Sequence, residues 1–564
     1  MGGSQIKTDV CIIGGGLAGI VSALEILENH PSKTVTILDR DTTDKLGGLA
    51  RIAFGGMALV DTPVQRRQKI KDSAELCLSD WYSFAEFSPD DDWPKKWADY
   101  YTQHSNEKVF HWLKERGIGF FPSVQWVERG LKGLYPEQTT DHVQGNSVPR
   151  YHILWGSSQF MVNQLIARLY SPSWANRLTV LHRHSVTDLI KTNGAIRGCH
   201  GQIEGDTDNI TGTFSVQSDV TIVATGGIGG AIEKVRHHWP QDMTATGAKA
   251  PEIILNGCHP YGDGRLHDAA IRHGGSVTHL DKMWNYAAGI PHPNPEFTGH
   301  GLSLIPTRTS LWANHLGQRI NKKADAATPP LITGFDTNYL CQQVARQEKP
   351  WTWHIMNWKI AAKELAISGA EHNPYIRDKR FFTFIWSMLT ARPWLIKKMA
   401  QESDHIITAN SITALTHKMN ATTDQPYIKA DILQSELDDY DQLLRAGPEK
   451  SADMQIRAIQ KLREWSGDRL RTTTFKPIQS KGAGPFVAIK TYLISRKTLG
   501  GIQTDLSSRV LGTDGNPISG LYAVGEAAGF GGGGASGKRS LEGTFLPGCI
   551  MTAQRAAGHI TGSL

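Results

Sequence analysis

The spacing of apolar residues changes twice within the first 40 positions. Val10 to Ile13 form a short unbroken apolar run, Ile20, Ala23, Leu24 and Leu27 recur on one helical face, and a second apolar run closes at Asp39. This pattern predicts a strand, a glycine turn, a helix and a second strand. Residues 61–175 hold many tryptophans at helical spacing, and "DWPKKWADYYTQHSNEKVFHWLKERG" predicts helix that ends before Gly117. A further strand is predicted over Val220 to Ala224. Residues 276–480 carry few long alternating runs, many helix signals and the aromatic stretch 381–395. Nothing recurs with a period of 20–50 residues, which excludes solenoid architectures.

Gly14, Gly16 and Gly19 form G-x-G-x-x-G at the first strand-to-helix junction. The first glycine permits the turn, the second lets backbone approach a pyrophosphate, and the third lets helix and strand pack closely. The helix N-terminus then offers free N–H groups to the phosphates. Asp39, 20 residues beyond Gly19, stands where a carboxylate accepts both ribose hydroxyls. A glycine-rich turn between ordinary elements is the bland alternative. The strand before it, the helix after it and the acid at this spacing favour a dinucleotide.

The glycine pairs Gly47–Gly48 and Gly55–Gly56 follow, where an NAD-dependent dehydrogenase would continue into another strand–helix unit. In "TIVATGGIGGAIE", Ile232 takes the place of a third glycine, so a second dinucleotide site is rejected. The layout of the pyridine-nucleotide-disulfide reductases goes with it. Near the C-terminus, "GLYAVGEAAGFGGGGASGKRSLEGTFLPG" is dense in glycine. Alone, it reads either as a flexible low-complexity loop or as backbone that must turn tightly beside a ligand.

Composition narrows the class. A chain of 564 residues is expected to form two or three domains. A net charge of +6 is mild for this length, and no basic stripe is interleaved with aromatics, so no nucleic-acid partner is expected. Six scattered cysteines without CxxC or CxxCH argue against a disulfide framework and fit a reducing, cytoplasmic location. No signal peptide is recognised at the N-terminus, and Ile6 breaks the myristoylation pattern. Residues 10–27 are interrupted by glycines, and the stretch around 381–395 by Arg392 and Pro393, so no transmembrane segment is expected. A greasy face at 381–395 would suit peripheral membrane contact. No Cys/His/Asp cluster has metal-ligand spacing, and no G-x-S-x-G nucleophile elbow is present.

Together, the GGGLAG turn with Asp39, "GGLARIAFGGM", "VTDLIKTNGAIRGC", "IVATGG", "YGDGRLHDAA", "LGGIQTD" and "GNPISGLYAVGEAAG" resemble the FAD-binding superfamily of fumarate reductase flavoproteins and 3-ketosteroid Δ1-dehydrogenases. The resemblance implies an α/β protein. A Rossmann-like FAD domain of the glutathione-reductase ββα type would span 1–275 and, as a C-terminal return, 481–564, with an inserted α+β cap over 276–480. It implies FAD contacts from Gly14, Gly16, Leu17, Ala18, Gly19, Asp39 and Arg40, then Gly47, Gly48, Leu49, Phe54, Gly55 and Gly56. Val186, Ala224, Thr225, Gly226 and Asp263 would follow, and finally Gly525, Glu526, Gly543, Thr544 and Phe545. The glycine-dense C-terminal stretch would then cradle the flavin, with the N-terminus of the last helix facing its pyrimidine edge.

The chemistry departs from both named groups. The fumarate reductase His-His-Thr-Met-Gly-Gly becomes "RKTLGG", with Lys497 in place of the substrate-binding histidine, and "QRINKKADAA" carries an alanine where the proton-donating arginine stands. The ketosteroid enzymes' Gly-Thr-Tyr-Pro-Gly is matched as "GTFLPG", so Phe545 replaces their ketone-holding tyrosine. Inefficient turnover of fumarate and of typical ketosteroids is therefore expected. Candidate catalytic residues are Tyr286, as acid or base or merely a packed tyrosine, together with Arg539 and Lys497. Arg539 and Lys538 would hold a carbonyl or carboxylate, or else pair with Glu542. Arg496 and Lys497 would bind an anionic substrate or remain solvated. His152 and Trp155 would approach the flavin or fill the interior.

The expected function is FAD-dependent oxidation of a CH–CH bond next to a carbonyl of an apolar, ring-containing substrate, with electrons passed to an unidentified acceptor. The alternatives are an ene-reductase of fumarate or urocanate type and a flavin-binding protein without turnover.

Overall fold

The computed structural model describes residues 4–134, 143–206, 209–243, 250–325, 327–448 and 451–563. Its first sheet holds the predicted nucleotide unit. The strand Ser4–Ile13 pairs in parallel with Val35–Leu38 on one side and Ile210–Val223 on the other. The sheet continues in parallel to Leu178–Leu181 at one end and Pro517–Ala523 at the other. The helix Leu17–Asn29 crosses between the first two strands and buries Ile20, Ala23, Leu24 and Leu27, the residues that the helical period picked out. The antiparallel strands His184–Thr192 and Ala195–Glu204 extend from Ile210–Val223. Strands buried on both faces explain why Val10 to Ile13 read as unbroken apolar sequence instead of alternating.

A second sheet is built mainly from antiparallel pairs. Its middle strand, Phe486–Thr498, pairs with Met283–Pro291, Thr352–Asn357 and Ile406–Ala409, and in parallel with Ile254–Asn256. Helices such as Ala430–Ala446 and Met454–Arg463 cover it with a separate apolar core around Trp353, Leu437 and Leu462. The middle strand thus comes from the stretch that also supplies Pro517–Ala523 to the first sheet. The chain visits the cap and returns to the nucleotide domain within about 20 residues.

Residues 63–115 are largely helical, as their period predicted, and pack Trp81 and Trp112 into the nucleotide core, with Trp97 against the C-terminal loop. The glycine-dense C-terminal loop is buried under them. A side chain at Gly531 would stand 2.5 Å from the Trp97 ring, and one at Gly532 would stand 2.6 Å from the Trp93 carbonyl carbon. Trp81 donates its indole N–H to the Ala535 carbonyl. The flexible-loop alternative is therefore excluded. All six cysteines are free thiols, and among the described residues no helix is long and apolar enough to cross a membrane.

One ion-pair cluster fixes the helical segment. Arg150, 1% exposed, donates to Asp72 at 2.7 Å and to Asp80 at 2.5 Å, and both acids are buried. Removing one partner of a buried pair strands the rest at a cost of about 3–5 kcal/mol. Arg150→Met should lower the unfolding free energy by about that amount in denaturant titration, whereas Arg168→Met, at a half-exposed surface pair, should change it by less than about 1 kcal/mol.

Candidate functional site

The glycines of the first turn divide by role. A Cβ at Gly14, whose φ is +109°, would lie 2.4 Å from the Ala224 carbonyl oxygen, and a Cβ at Gly19 would lie 2.0 Å from that of Gly14. Both are required by the protein's own packing. A Cβ at Gly16 would meet nothing within 4 Å, and one at Gly226 only the Gly262 Cα at 4.0 Å. These two glycines border open space. Gly16 precedes the helix Leu17–Asn29 with no side-chain cap, so the first N–H groups face that space.

The space is a cleft of about 190 Å³ lined by Gly14, Gly16, Leu17, Ala18, Asp39, Arg40, Gly47, Gly48, Leu49, Val186, Ala224, Thr225, Gly226, Asp263 and Glu526. Asp39 accepts the amides of Gly15 and Asp41 at 2.8 and 2.7 Å, while burial raises its pKa. The Arg40 guanidinium lies 4.2 Å from the centroid of Tyr261 and donates to Asp263 at 3.2 Å. Gly47 enters from the opposite wall, its amide bonded to the Gly15 carbonyl at 2.9 Å. Glu526 projects from the turn Gly525–Ala527 and accepts the Thr498 amide at 2.9 Å. Open anion-ready amides, an acid at the end of the second strand and a second glycine wall together fit a dinucleotide flavin.

A second cavity of about 210 Å³ lies against the cap sheet. Phe54, Phe121, Ile153, Phe384 and Met388 give it apolar walls, and Tyr151, Tyr286, Glu128 and Glu542 supply polar groups. Strand geometry assembles its principal cluster. Trp284 and Tyr286 are two residues apart on Met283–Pro291 and project to the same face. Both donate to Glu542 Oε2, at 2.6 and 3.0 Å. Lys497 faces them from the paired strand, where it registers opposite Trp284, and its Nζ donates to the Tyr286 hydroxyl at 3.1 Å. The same ammonium lies 4.3 Å from the Phe545 ring centroid. Burial raises the Tyr286 pKa, reinforced by the Glu542 charge, and burial lowers that of Lys497.

The family model described as an FAD binding domain matches residues 9–546. The chain belongs to this family. A KsdD-like steroid dehydrogenase of Mycobacterium tuberculosis is 37% identical over 568 residues, covering 98% of this chain and 95% of the relative. Among solved structures, a 3-ketosteroid Δ1-dehydrogenase from Sterolibacterium denitrificans aligns with a TM-score of 0.65 at 15% identity, over 99% of this chain and all of that one. An open flavocytochrome c3 fumarate reductase aligns at 0.67 and 17% identity, over 99% of this chain and 79% of that one. The protein is an FAD-dependent oxidoreductase of mixed α/β fold.

The flavoprotein's other expected contacts fall outside the first cleft. Phe54 lines the second cavity. Gly56 lies under the Tyr151 ring, where a Cβ would come within 1.8 Å, and Gly55 abuts the Ser158 amide. Gly543 accepts the Ala58 amide at 2.8 Å, Thr544 precedes the last helix Phe545–Thr561, and Gly525 sits behind Ala18.

Tyr286 and Lys497 meet, but Arg539 does not join them. Arg539 is buried against Asp336 and Glu86, and Lys538 pairs with Asp242 and Glu86. Neither pairs with Glu542. The two basic residues follow a loop packed under the helix 92–105, and neither lines the cavity. Arg496 donates to the Gly257 carbonyl. His152 is buried, bonded to Thr62 and to the Arg150 carbonyl, and Trp155 packs on Phe121. Strand alternation offers a signal for Tyr151. With His152 turned inward, Tyr151 and Ile153 must share the opposite face. His292, Glu371 and His372 bring ligand atoms within 4.8 Å of one another, a group hidden in the sequence by its 80-residue separation.

Two outcomes follow for the cofactor cleft. Gly16→Val should leave the fold intact by far-UV circular dichroism yet yield colourless protein, whereas Gly19→Val should misfold. Full FAD occupancy in Gly16→Val would contradict the assignment. Burial also raises the Glu526 carboxyl to about 7 from the ordinary 4.5. A raised acid retains its proton in the fold after the unfolded chain has lost it, so its stabilising contribution is full below about pH 4.5 and disappears as pH rises through about 7. The flavin-free protein should therefore lose more thermal stability between those pH values than Glu526→Gln does.

Proposed function

We propose that this flavoprotein oxidises a CH–CH bond next to a carbonyl in an apolar, ring-containing substrate of steroid type. The observation that carries the reading is the second cavity, an apolar chamber with one concentrated polar cluster. It adjoins the cofactor cleft through consecutive residues. Lys497 reaches Tyr286 on the cavity side, while the next amide, Thr498, bonds Glu526 on the cleft side. FAD supplies the two-electron acceptor.

Tyr286 is assigned the proton transfer. As its oxygen takes the proton from the carbon beside the substrate carbonyl, its own hydroxyl proton passes to Glu542, to which it already donates. Lys497 donates to the same oxygen and offsets the charge that develops there. Burial and the Glu542 charge both oppose anionic character on this tyrosine, and the hydrogen bond from Lys497 works against them. The name of the mycobacterial relative and the ketosteroid enzyme among its structural neighbours support a steroid-like substrate.

The helix Phe381–Leu389 favours delivery from a lipid surface. Phe384 and Met388 line the cavity while Phe382 and Trp386 are 86% and 67% exposed on its outer side. Six free thiols are consistent with a reducing, cytoplasmic setting.

Anaerobic mixing with cyclic ketones tests the reading, with the loss of oxidised-flavin absorbance as readout. Ring ketones should bleach the flavin, and Tyr286→Phe should slow bleaching by about 10²–10⁴ while FAD content stays unchanged. Flavin unaffected by every ketone, together with rapid reoxidation of reduced enzyme by fumarate, would overturn it in favour of an ene-reductase.

A further inference from the structure

The second cavity holds more positive charge than its surroundings balance. Arg308, Arg392, Arg471 and Lys363 all border it. Arg308 is paired with Asp468 at 2.5 Å. Among the described residues, Arg392, Arg471 and Lys363 have no carboxylate within ion-pair distance. Arg392 donates to the Leu365 carbonyl at 2.6 Å, and Lys363 to the carbonyls of Met388 and Leu389. Arg471 donates to no described residue.

The nearby acids are already engaged. Asp468 serves Arg129 and Arg308. Glu364 accepts from the backbone of Arg308, Thr309 and Thr473 and from both threonine hydroxyls. Glu542 belongs to the Tyr286 cluster. Glu128 accepts from Thr337, and burial raises it to about 8, which disfavours its charged form. Arg392 and Arg471 also repel one another, and burial lowers both, Arg392 to about 10. Both remain charged at neutral pH. Buried charge is ordinarily paired, and unpaired charge in an apolar chamber is costly.

We propose that the substrate is an organic acid whose carboxylate is held by Arg471 and Arg392 while its apolar rings occupy the space between Phe121, Ile153 and Phe384. Forked guanidinium donors suit a carboxylate, and the apolar walls set the rest of the molecule. The assignment deepens the steroid-type reading of the same cavity and rests on it for the reaction, although binding can be tested alone.

The probes are 3-oxoandrost-4-ene-17β-carboxylic acid and its methyl ester, titrated into the holoenzyme while perturbation of the flavin spectrum is followed. The acid should bind about tenfold tighter than the ester, a gap of the size one charge-assisted contact provides, and its affinity should fall with added salt. The preference should vanish in Arg471→Leu and shrink in Arg392→Leu. If either variant fails to fold, Arg471→Lys and Arg392→Lys retain charge without the fork and should reduce the preference. Equal binding of acid and ester, no binding of the acid, or a preference unchanged in the variants would overturn the proposal. Tight, arginine-dependent binding without flavin reduction would leave it standing and refute the proposed reaction.

Discussion

The bond from the Thr498 amide to Glu526 joins the two halves of the molecule. Thr498 ends the middle strand of the cap sheet, and Glu526 belongs to the turn that follows the last strand of the nucleotide sheet. Between them the chain makes the short bridge of Gly500 and Gly501, where a Cβ at Gly500 would stand 2.1 Å from the His279 carbonyl oxygen. With the strand end fixed, the neighbouring Lys497 stays in register opposite Trp284, and its side chain reaches the Tyr286 hydroxyl. The cofactor cleft and the second cavity therefore share one piece of backbone. A shift of the cap sheet moves the Tyr286–Lys497–Glu542 cluster and Glu526 together.

Much of the nucleotide domain was legible because its residues obey local rules. Gly14, Gly16, Gly19 and Asp39 belong to one continuous strand–turn–helix–strand unit, and their spacing is dictated by that unit alone. The tryptophan-rich helices were legible for the same reason. The substrate cavity was not, since Tyr151, Tyr286, Arg392, Arg471 and Glu542 come from five distant segments and no short pattern ties them. Lys497 was singled out through resemblance, whereas Tyr286, which it meets, rested on position at the start of the cap. Arg539 shows the opposite failure. Its proximity in sequence to the last helix suggested a catalytic place, but the loop before it turns beneath helix 92–105 and commits the side chain to Asp336 and Glu86.

Charge is distributed in this protein by how thoroughly each ion is neutralised. Arg150, Arg319 and Arg539 are buried with carboxylates on them and act as internal ties. Lys497 is partly neutralised, with Glu542 at 3.9 Å and a tyrosine hydroxyl closer. Arg392 and Arg471 stand at the far end of this scale. An arginine cannot shed its proton in water-like conditions, so two of them without an ion-pair partner among the described residues retain electrostatic demand there.

The buried glycine loop also imposes an order on the making of the protein. The first 500 residues supply the pyrophosphate turn, the second-strand acid and most of the cap. Glu526 and the last helix, whose Thr552 hydroxyl accepts the Gly525 amide at 2.8 Å, close the cofactor cleft only when the final 60 or so residues arrive. Domains fold as units and, during synthesis, from the N-terminus onward. This one is split across the cap and cannot finish before the helix Phe545–Thr561 has been made. The cleft is therefore completed late in synthesis, and a chain lacking the last helix would have its cap formed and this cleft open.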